Sequence, residues 1–264
     1  MQMDLTSNVC DQHPKRINKP IYKVMFEGQE VCPLCESERM TKELSDEEDG
    51  KIKHAMNSRR YNTFKNQSIL TDIGLLEASF SGYETSQPET ITNKKRASEA
   101  FVKYKQGETF NTWLTGTPGV GKSHLAMSIL RNLNESGEKD KSCLFVSIDE
   151  MLLRIRNSFD NKESRYTEHY FVDLLSNVDY LVLDDLGAET GGIGTKKTAT
   201  DFTLRVLYAI SNGRQNKSTI LTSNLSRVAL ENMYDPKLVS RLMKDTYLIR
   251  FIATTDKRIK NIEF

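Results

Sequence analysis

Eight consecutive residues combine glycines, a lysine and a hydroxyl in a spacing that suits phosphate binding. They read Gly116-Thr117-Pro118-Gly119-Val120-Gly121-Lys122-Ser123. The glycines allow backbone N–H groups to turn inward around an anion, and a following helix adds the positive end of its dipole. Lys122 is expected to reach the β- and γ-phosphates of a nucleotide, Ser123 to bind Mg²⁺, and His124 to pack at the start of the helix. The alternative is a glycine-rich turn that binds nothing.

A second segment places two carboxylates after an apolar run. The residues are Tyr180-Leu181-Val182-Leu183-Asp184-Asp185, which predict a buried strand that ends in an acidic pair. Asp184 is expected to hold the shell of the Mg²⁺ ion, and Asp185 to orient or deprotonate an attacking water. Many ATPases carry glutamate at the second place, and aspartate is one methylene shorter. The alternative is an acidic pair that only caps a turn.

A third apolar segment ends in an amide. Residues Thr219-Ile220-Leu221-Thr222-Ser223-Asn224 follow the acidic segment in the chain. In an ATPase core, Asn224 is expected to position the water near the γ-phosphate. An asparagine after a strand is also an ordinary turn residue, so the order of the three segments carries this prediction.

The N-terminal region contains two chelating pairs. Cys10 and His13 form one pair, Cys32 and Cys35 form the other, and 18 residues separate them. Four such nitrogen and sulfur ligands close a tetrahedral Zn²⁺ site of the structural kind. In a reducing compartment this cluster is more typical of a metal site than of disulfides. The alternative is a set of unpaired cysteines beside an incidental histidine.

The phosphate-binding and acidic segments need a scaffold that brings them to one edge. Short runs rich in Val, Ile and Leu alternate with helical patterns, which predicts an α/β fold with a five-stranded parallel sheet covered on both faces. Ligands of such sheets bind beyond the carboxyl ends of the strands, where these segments fall. The predicted strands are Phe110–Thr115, Cys143–Ile148, Tyr180–Asp184, Thr219–Ser223 and Tyr247–Ile252, with helices near 122–136, 149–158, 166–177 and 198–213.

The first third of the chain has a different character. Residues 1 to about 36 lack long apolar periodic segments and cannot bury much surface by themselves. A charged helix is predicted from Glu36 to about Tyr61, and a second helix over about 93–106. We therefore predict a zinc-binding module over residues 1–61, a linker over 62–95 and an ATPase domain over 96–264.

Composition excludes several classes of protein. The chain has 264 residues with 37 Lys and Arg against 36 Asp and Glu, a formal net charge of +1. A globally basic protein that coats DNA is therefore not expected, although local basic patches remain open. No apolar run reaches the ~18 residues of a membrane span. The first residues lack the basic and apolar regions of a secretory signal, so a cytoplasmic protein is expected.

Taken together, the motifs resemble those of the AAA+ ATPases of the DnaC/DnaI type, which load replicative helicases. The resemblance runs from about Leu70 to the C-terminus and extends more loosely to the cysteine cluster. It is carried, in this order, by GTPGVGKSHLA (116–126), LVLDDLGAE (181–189), TILTSN (219–224), LVSRL (238–242) and DKR (256–258).

The resemblance assigns roles to three further positions. Asn224 looks like sensor 1, Arg241 like the arginine finger that completes a neighbour's site, and Arg258 like sensor 2. A surface ion pair for Arg241 and a solvated basic tail for Arg258 are the alternatives. Six residues follow Arg258, so no C-terminal helical lid is expected. That ending is similar to loaders of this type.

The function that the resemblance implies is ATP-dependent loading of a hexameric replicative helicase onto single-stranded DNA. ATP would drive side-by-side assembly, hydrolysis would drive release, and the zinc module would face the helicase. In loaders, the insertion that corresponds to residues 187–197 of this chain helps to build a spiral that grips single-stranded DNA. In this chain the segment is rich in glycine, and its Lys196 and Lys197 could contact phosphates or lie in a solvated loop. The alternatives are a transposition helper ATPase of the IstB kind and an ATP-switched inhibitor of a host replication protein.

Overall fold

The computed structural model describes residues 4–13, 15–16, 19–190 and 198–258. By its internal contacts the chain divides into two compact units, residues 1–56 and 57–264. Within the described ranges, no helix is both long enough and apolar enough to cross a membrane.

The first unit consists of short strands and the start of a long helix. Strands β1 (Leu5–Val9), β4 (Tyr22–Phe26) and β5 (Gln29–Val31) form an antiparallel sheet, and β2 (Lys15–Arg16) pairs with β3 (Lys19–Pro20). Among its described residues, the buried side chains are Cys10 and Cys32 alone. The shortage of apolar surface agrees with the sequence analysis, which did not predict these strands.

Helix α1 (Pro33–Gln67) follows β5 and extends beyond both ends of the predicted 36–61 helix. None of its described side chains is buried. Ion pairs between successive turns support it, such as Glu47 with Lys51 at 2.7 Å, because residues four apart lie side by side on a helix.

The second unit is built on a five-stranded parallel sheet, as predicted. The spatial order is β10-β6-β9-β8-β7. The strands are β6 (Asn111–Gly116), β7 (Cys143–Ser147), β8 (Tyr180–Asp184), β9 (Thr219–Ser223) and β10 (Thr246–Phe251). All five predicted strands are present within two residues of their predicted ends.

Helices cover both faces of this sheet because strand side chains alternate between them. Leu144 and Val146 of β7 pack in the core on one face, whereas Cys143 and Phe145 pack on the other. Helices α2 (Pro88–Lys105) and α3 (Lys122–Glu135) cover the second of these faces. The first face is covered by α4 (Ile148–Ser158), α5 (Glu168–Asn177), α6 (Asp201–Gly213), α7 (Arg227–Met233) and α8 (Pro236–Leu242).

The segment before α2 extends the sheet beyond β7. The N–H of Ile69 donates to the carbonyl of Phe145 at 2.7 Å, and the N–H of Ser147 donates to the carbonyl of Ile69 at 2.9 Å. Much of the 62–95 segment therefore packs within the second unit. The division into domains 1–61, 62–95 and 96–264 stays a prediction.

Candidate functional site

The glycine-rich segment forms a loop between the end of β6 and the start of α3. Gly119 and Gly121 adopt φ angles of +76° and +96°, which L-residues with side chains rarely adopt. A Cβ atom on Gly121 would lie 2.7 Å from Cε2 of Tyr83. Tyr83 packs against the loop, and its hydroxyl donates to the carbonyl of Val120 at 3.3 Å. Both the backbone conformation and the packing therefore require glycine.

Lys122 is buried at the centre of this loop, with 5% of its surface exposed. Its ammonium group donates to the carbonyls of Gly116 (2.9 Å) and Thr117 (2.8 Å) and to Oδ1 of Asn224 (2.7 Å). Burial lowers the pKa of Lys122 to about 8, although the negative charge of Asp185 opposes the shift. The lysine thus stays largely protonated at pH 7, in the loop that the sequence predicts for phosphate.

The acidic pair, Asp184 and Asp185, lies at the carboxyl end of β8. A single hydroxyl group forms hydrogen bonds with both residues. Thr222 of the neighbouring strand β9 donates to Oδ1 of Asp184 at 2.6 Å, and its oxygen accepts the N–H of Asp185 at 2.9 Å. Asp185 itself has φ of +59°, an unusual conformation for a residue with a side chain. Burial raises the pKa values of both carboxyl groups, that of Asp184 to about 6.

A cavity of about 200 Å³ joins these groups. The two residues predicted to bind Mg²⁺, Ser123 and Asp184, both line this cavity, and the Ser123 hydroxyl partly opposes the rise in the pKa of Asp184. This pair of oxygen ligands is of the type that Mg²⁺ prefers. The lining residues are Thr71, Asp72, Leu75, Pro118, Gly119, Gly121, Lys122, Ser123, His124, Asp184, Asp185, Asn224 and Arg258.

Most of the predicted site residues therefore converge, but not all of them. Gly116, Thr117 and Val120 belong to the loop without lining this cavity. His124 lines it and hydrogen-bonds through Nε2 to the backbone of Ser79. Lys196 and Lys197 lie outside the described residues.

Arg241 lies away from the cavity of its own chain. It lies in the last turn of α8, where Nε donates to Oδ1 of Asn212 at 2.7 Å and the guanidinium carbon lies 4.6 Å from the ring centroid of Tyr208. It lines a separate cavity together with Asn111 and Thr219, the first residues of β6 and β9. Arg241 thus lies near the amino-terminal end of the sheet, opposite the glycine-rich loop.

Four residues of the site were missed by the sequence analysis. Thr71, Asp72 and Leu75 reach the cavity because Ile69 pairs with β7, and no local pattern announces that pairing. Thr222 lies inside the 219–224 segment that the sequence analysis identified. Because it is two residues before Asn224, it belongs to the same face of the strand, and this spacing could have indicated a role at the site.

The four metal-site residues of the first unit also converge. Their ligand atoms all lie within 4.8 Å of one another. A tetrahedral Zn²⁺ places two sulfur ligands about 3.8 Å apart and a sulfur and a nitrogen about 3.5 Å apart. The Sγ atoms of Cys10 and Cys35 are 3.6 Å apart, and Nδ1 of His13 lies 3.2 Å from Cys35 and 3.9 Å from Cys32. The donor set fits a zinc ion.

A residue outside the predicted set orients the histidine. Nε2 of His13 lies 3.0 Å from the carboxylate of Glu38 on α1, while Nδ1 faces the cysteines. Metal-bound histidines commonly donate their second N–H to a carboxylate. Burial opposes ionisation of Cys10, but hydrogen bonds from His13, Cys32 and Cys35 outweigh it and lower the pKa of this thiol to about 6. Thiolate is the form that binds metals.

Comparison with known proteins identifies a family and several relatives. A family model described as IstB-like ATP binding protein matches residues 37–251. The replicative helicase loader DnaC of Buchnera aphidicola subsp. Schizaphis graminum is 26% identical over 203 residues, 74% of this chain and 77% of that protein. DnaC of Escherichia coli strain K12 is 29% identical over 147 residues, 54% of this chain and 58% of that protein. A crystal structure of the DnaC helicase loader matches with a TM-score of 0.56 at 22% identity, over 69% of this chain and 100% of the other.

The parallel sheet, the glycine-rich loop and the acidic end of β8 together define a P-loop protein of the AAA+ class. The family model spans well over half of the sequence, so the chain belongs to the IstB-like ATP binding protein family. The similarity to DnaC-type helicase loaders that the motifs indicate is confirmed.

The bridging hydroxyl of Thr222 leads to the first prediction. Thr222→Val keeps the shape but removes the buried hydroxyl that pairs with Oδ1 of Asp184 and with the N–H of Asp185, which costs about 1–3 kcal/mol. We expect the variant to need at least tenfold more Mg²⁺ for half-maximal ATP binding, measured with a fluorescent ATP analogue. Thr222→Ser, which keeps the hydroxyl, should resemble the wild type. Thr112→Val, which removes a buried hydroxyl from the start of β6, is the control. An unchanged Mg²⁺ requirement in Thr222→Val would contradict this prediction.

The metal cluster leads to the second prediction. Cys32→Ser should abolish binding of one Zn²⁺ per chain, measured by elemental analysis, and should leave ATP binding by the second unit intact. Glu38→Gln should weaken zinc binding about 10- to 100-fold in competition with a chromophoric chelator, because His13 loses its orienting carboxylate. Glu43→Gln on the same helix is the control, since Glu43 pairs with Arg39 instead. Full zinc content in Cys32→Ser would contradict the prediction that Cys32 binds zinc.

Proposed function

We propose that this protein is an ATP-dependent loader of a replicative DNA helicase. The observation that carries the proposal is the separation of two parts of one ATPase site. Lys122, Asp184 and Asn224 meet in a buried cavity, while Arg241 lies at the far end of the sheet. A site divided in this way is completed by a neighbouring copy. The similarity to proteins named helicase loaders supports the proposal that the partner is a replicative helicase.

Each group in the cavity has a proposed task. Backbone N–H groups of the loop and Lys122 bind the phosphates, and Ser123 with Asp184 holds Mg²⁺, which neutralises charge on the phosphate oxygens. Asp185 orients or deprotonates the attacking water, and Asn224 positions it. Arg258, at the rim of the cavity, contacts the γ-phosphate.

Arg241 supplies the assembly step. A guanidinium neutralises charge that develops on the transferred phosphate only when it reaches the neighbouring cavity. ATP therefore favours side-by-side association of copies, hydrolysis ends it, and the isolated protein turns over slowly. The zinc-binding module binds the helicase, with its cluster substituting for the core that the first unit lacks.

Single-stranded DNA has a candidate surface on α4, α5 and the loop between them. Tyr166 stacks on Phe171 with ring centroids 5.9 Å apart, and the guanidinium groups of Arg154 and Arg165 lie 5.4 and 4.9 Å from the Tyr166 ring. Phe159 at the end of α4 is 60% exposed. Aromatic rings among arginines suit stacked bases and a phosphate backbone.

The third prediction tests the divided site in a loading assay. Purified helicase, protein-coated single-stranded DNA and ATP are mixed with the protein, and unwinding is measured. Lys122→Ala should fail to bind ATP, and Arg241→Ala should bind ATP but lose about a thousandfold of its stimulated hydrolysis. A mixture of the two variants should recover hydrolysis and unwinding, because each supplies what the other lacks.

Other outcomes of this assay would point elsewhere. Normal turnover by Arg241→Ala alone would remove the arginine finger assignment. A stable complex that blocks unwinding would indicate an inhibitor of replication. Absence of any complex with the helicase, together with salt-sensitive binding to duplex DNA, would indicate a transposition helper. Lys105→Ala, which removes an exposed lysine at the end of α2, outside the proposed DNA surface, serves as the control for loss of surface charge.

The fourth prediction concerns the aromatic and basic surface. Phe159→Ala should weaken binding of a fluorescent oligothymidine about tenfold, because one stacking contact is lost. Arg165→Ala should weaken binding and also reduce the slope of log affinity against log salt by about 0.7, as one phosphate contact disappears. The control is Lys139→Ala, which removes a lysine that lies over Tyr61 outside this surface. Wild-type affinity in both variants would place the DNA elsewhere.

A further inference from the structure

Residues 252–258, which follow β10, have no regular secondary structure, yet they are held at several points. One carboxylate on α2 makes the densest set of contacts. Glu89 accepts the consecutive N–H groups of Ile252 (2.7 Å), Ala253 (3.1 Å) and Thr254 (2.7 Å), and also the Thr254 hydroxyl. Hydrogen bonds from backbone N–H groups to an ionised carboxylate are about twice as strong as neutral ones.

The surroundings of Glu89 favour its ionised form. Burial alone would raise its pKa, but the hydrogen bonds from Thr254, Ile252 and Ala253 hold the pKa below its usual range. One turn further along α2, Asn93 is buried and donates to the carbonyl of Arg250 at 2.7 Å. The first two turns of α2 thus fix both the end of β10 and the turn after it.

The residues that follow this turn lead directly to the phosphate cavity. The N–H of Lys257 donates to the carbonyl of Gly119 at 3.1 Å, and its ammonium lies 4.1 Å from the ring centroid of Tyr83. The N–H of Arg258 donates to Oδ1 of Asp256 at 2.9 Å. Arg258 then lines the cavity with Lys122.

We propose that Glu89 is a positioning residue for Arg258, holding the 252–254 turn so that the arginine reaches the phosphates of a bound nucleotide. The proposal rests on the proposed function, because it assumes that ATP occupies the cavity. The physical reason is entropic. Fixing the backbone of each residue in an irregular segment costs about 1–2 kcal/mol of conformational entropy. Between Phe251 and Lys257, the Glu89 carboxylate offsets this cost by accepting three successive backbone N–H groups.

The matched variants are Glu89→Gln and Glu99→Gln. Both lie on α2 and both carboxylates contact the region of β10, but within the described part of the chain Glu99 accepts one hydrogen bond, from the Tyr247 hydroxyl at 2.9 Å. A glutamine at 89 retains one acceptor oxygen and turns an NH₂ group toward backbone donors. We expect Glu89→Gln to lower affinity for a fluorescent ATP analogue about tenfold and Glu99→Gln to leave it unchanged.

A double-mutant cycle with Arg258→Ala separates positioning from general stability. If Glu89 acts through Arg258, the Glu89→Gln/Arg258→Ala protein should bind ATP no more weakly than Arg258→Ala alone. Hydrogen exchange of the amides in 252–254 should accelerate in Glu89→Gln with or without nucleotide. Thr254→Val, which removes only the hydroxyl donor, should show a smaller effect of the same kind and replaces Glu89→Gln if that variant fails to fold.

Either of two results would overturn this proposal by itself. Additive losses in the double variant would show that Glu89 acts on the fold rather than on Arg258. Wild-type ATP affinity in Glu89→Gln, with the wild-type protein binding ATP normally, would remove the positioning role and leave the proposed function intact. Failure of the wild-type protein to bind ATP would instead remove both.

Discussion

The structure of the second unit depends on a buried cluster of oppositely charged side chains at the carboxyl edge of the sheet. Lys122 is surrounded by loop carbonyls and Asn224, with the acidic pair of β8 beside it. A buried ammonium and buried carboxylates are tolerable only when each has partners. The parallel sheet supplies them, because strands β6, β8 and β9 end side by side. The proposed phosphate binding and the proposed activation of water both depend on this edge.

The two units meet the requirement for a core in different ways. The second unit buries alternate faces of five strands beneath seven helices in its described part. The first unit, over its described residues, buries only Cys10 and Cys32, too little apolar surface to offset the entropy of folding. A metal ion that joins four side chains compensates for such a deficit. The cysteine spacing and the scarcity of apolar residues are therefore two signs of the same constraint.

The sequence allowed prediction of features whose residues are adjacent in the chain. The strands, the glycine-rich loop and the acidic pair are local patterns, and the structure has them where expected. Glu89, Thr222 and Glu38 escaped prediction because their partners lie far away: Glu89 is 163 residues from Ile252. The Glu89 contacts, for example, arise only after β10 pairs with β6 and α2 packs against them. The length of α1 was also underestimated, since an exposed helix gives no apolar period to mark its ends.

Strand β10 connects the two arginines of the proposed mechanism. Arg241 lies on α8 just before the strand, and Arg258 lies just after the turn that Glu89 holds. The strand pairs with β6 along all six of its residues, and six residues span about 20 Å. It therefore acts as a rigid spacer between the amino-terminal and carboxyl-terminal edges of the sheet. In the proposed mechanism, one end of this spacer leads to Arg258 at the phosphate cavity, and its other end follows Arg241, the residue directed at a neighbouring copy. Because the spacer is rigid, the proposed contact with a bound nucleotide and the proposed contact with a neighbouring copy are held at a fixed separation within one chain.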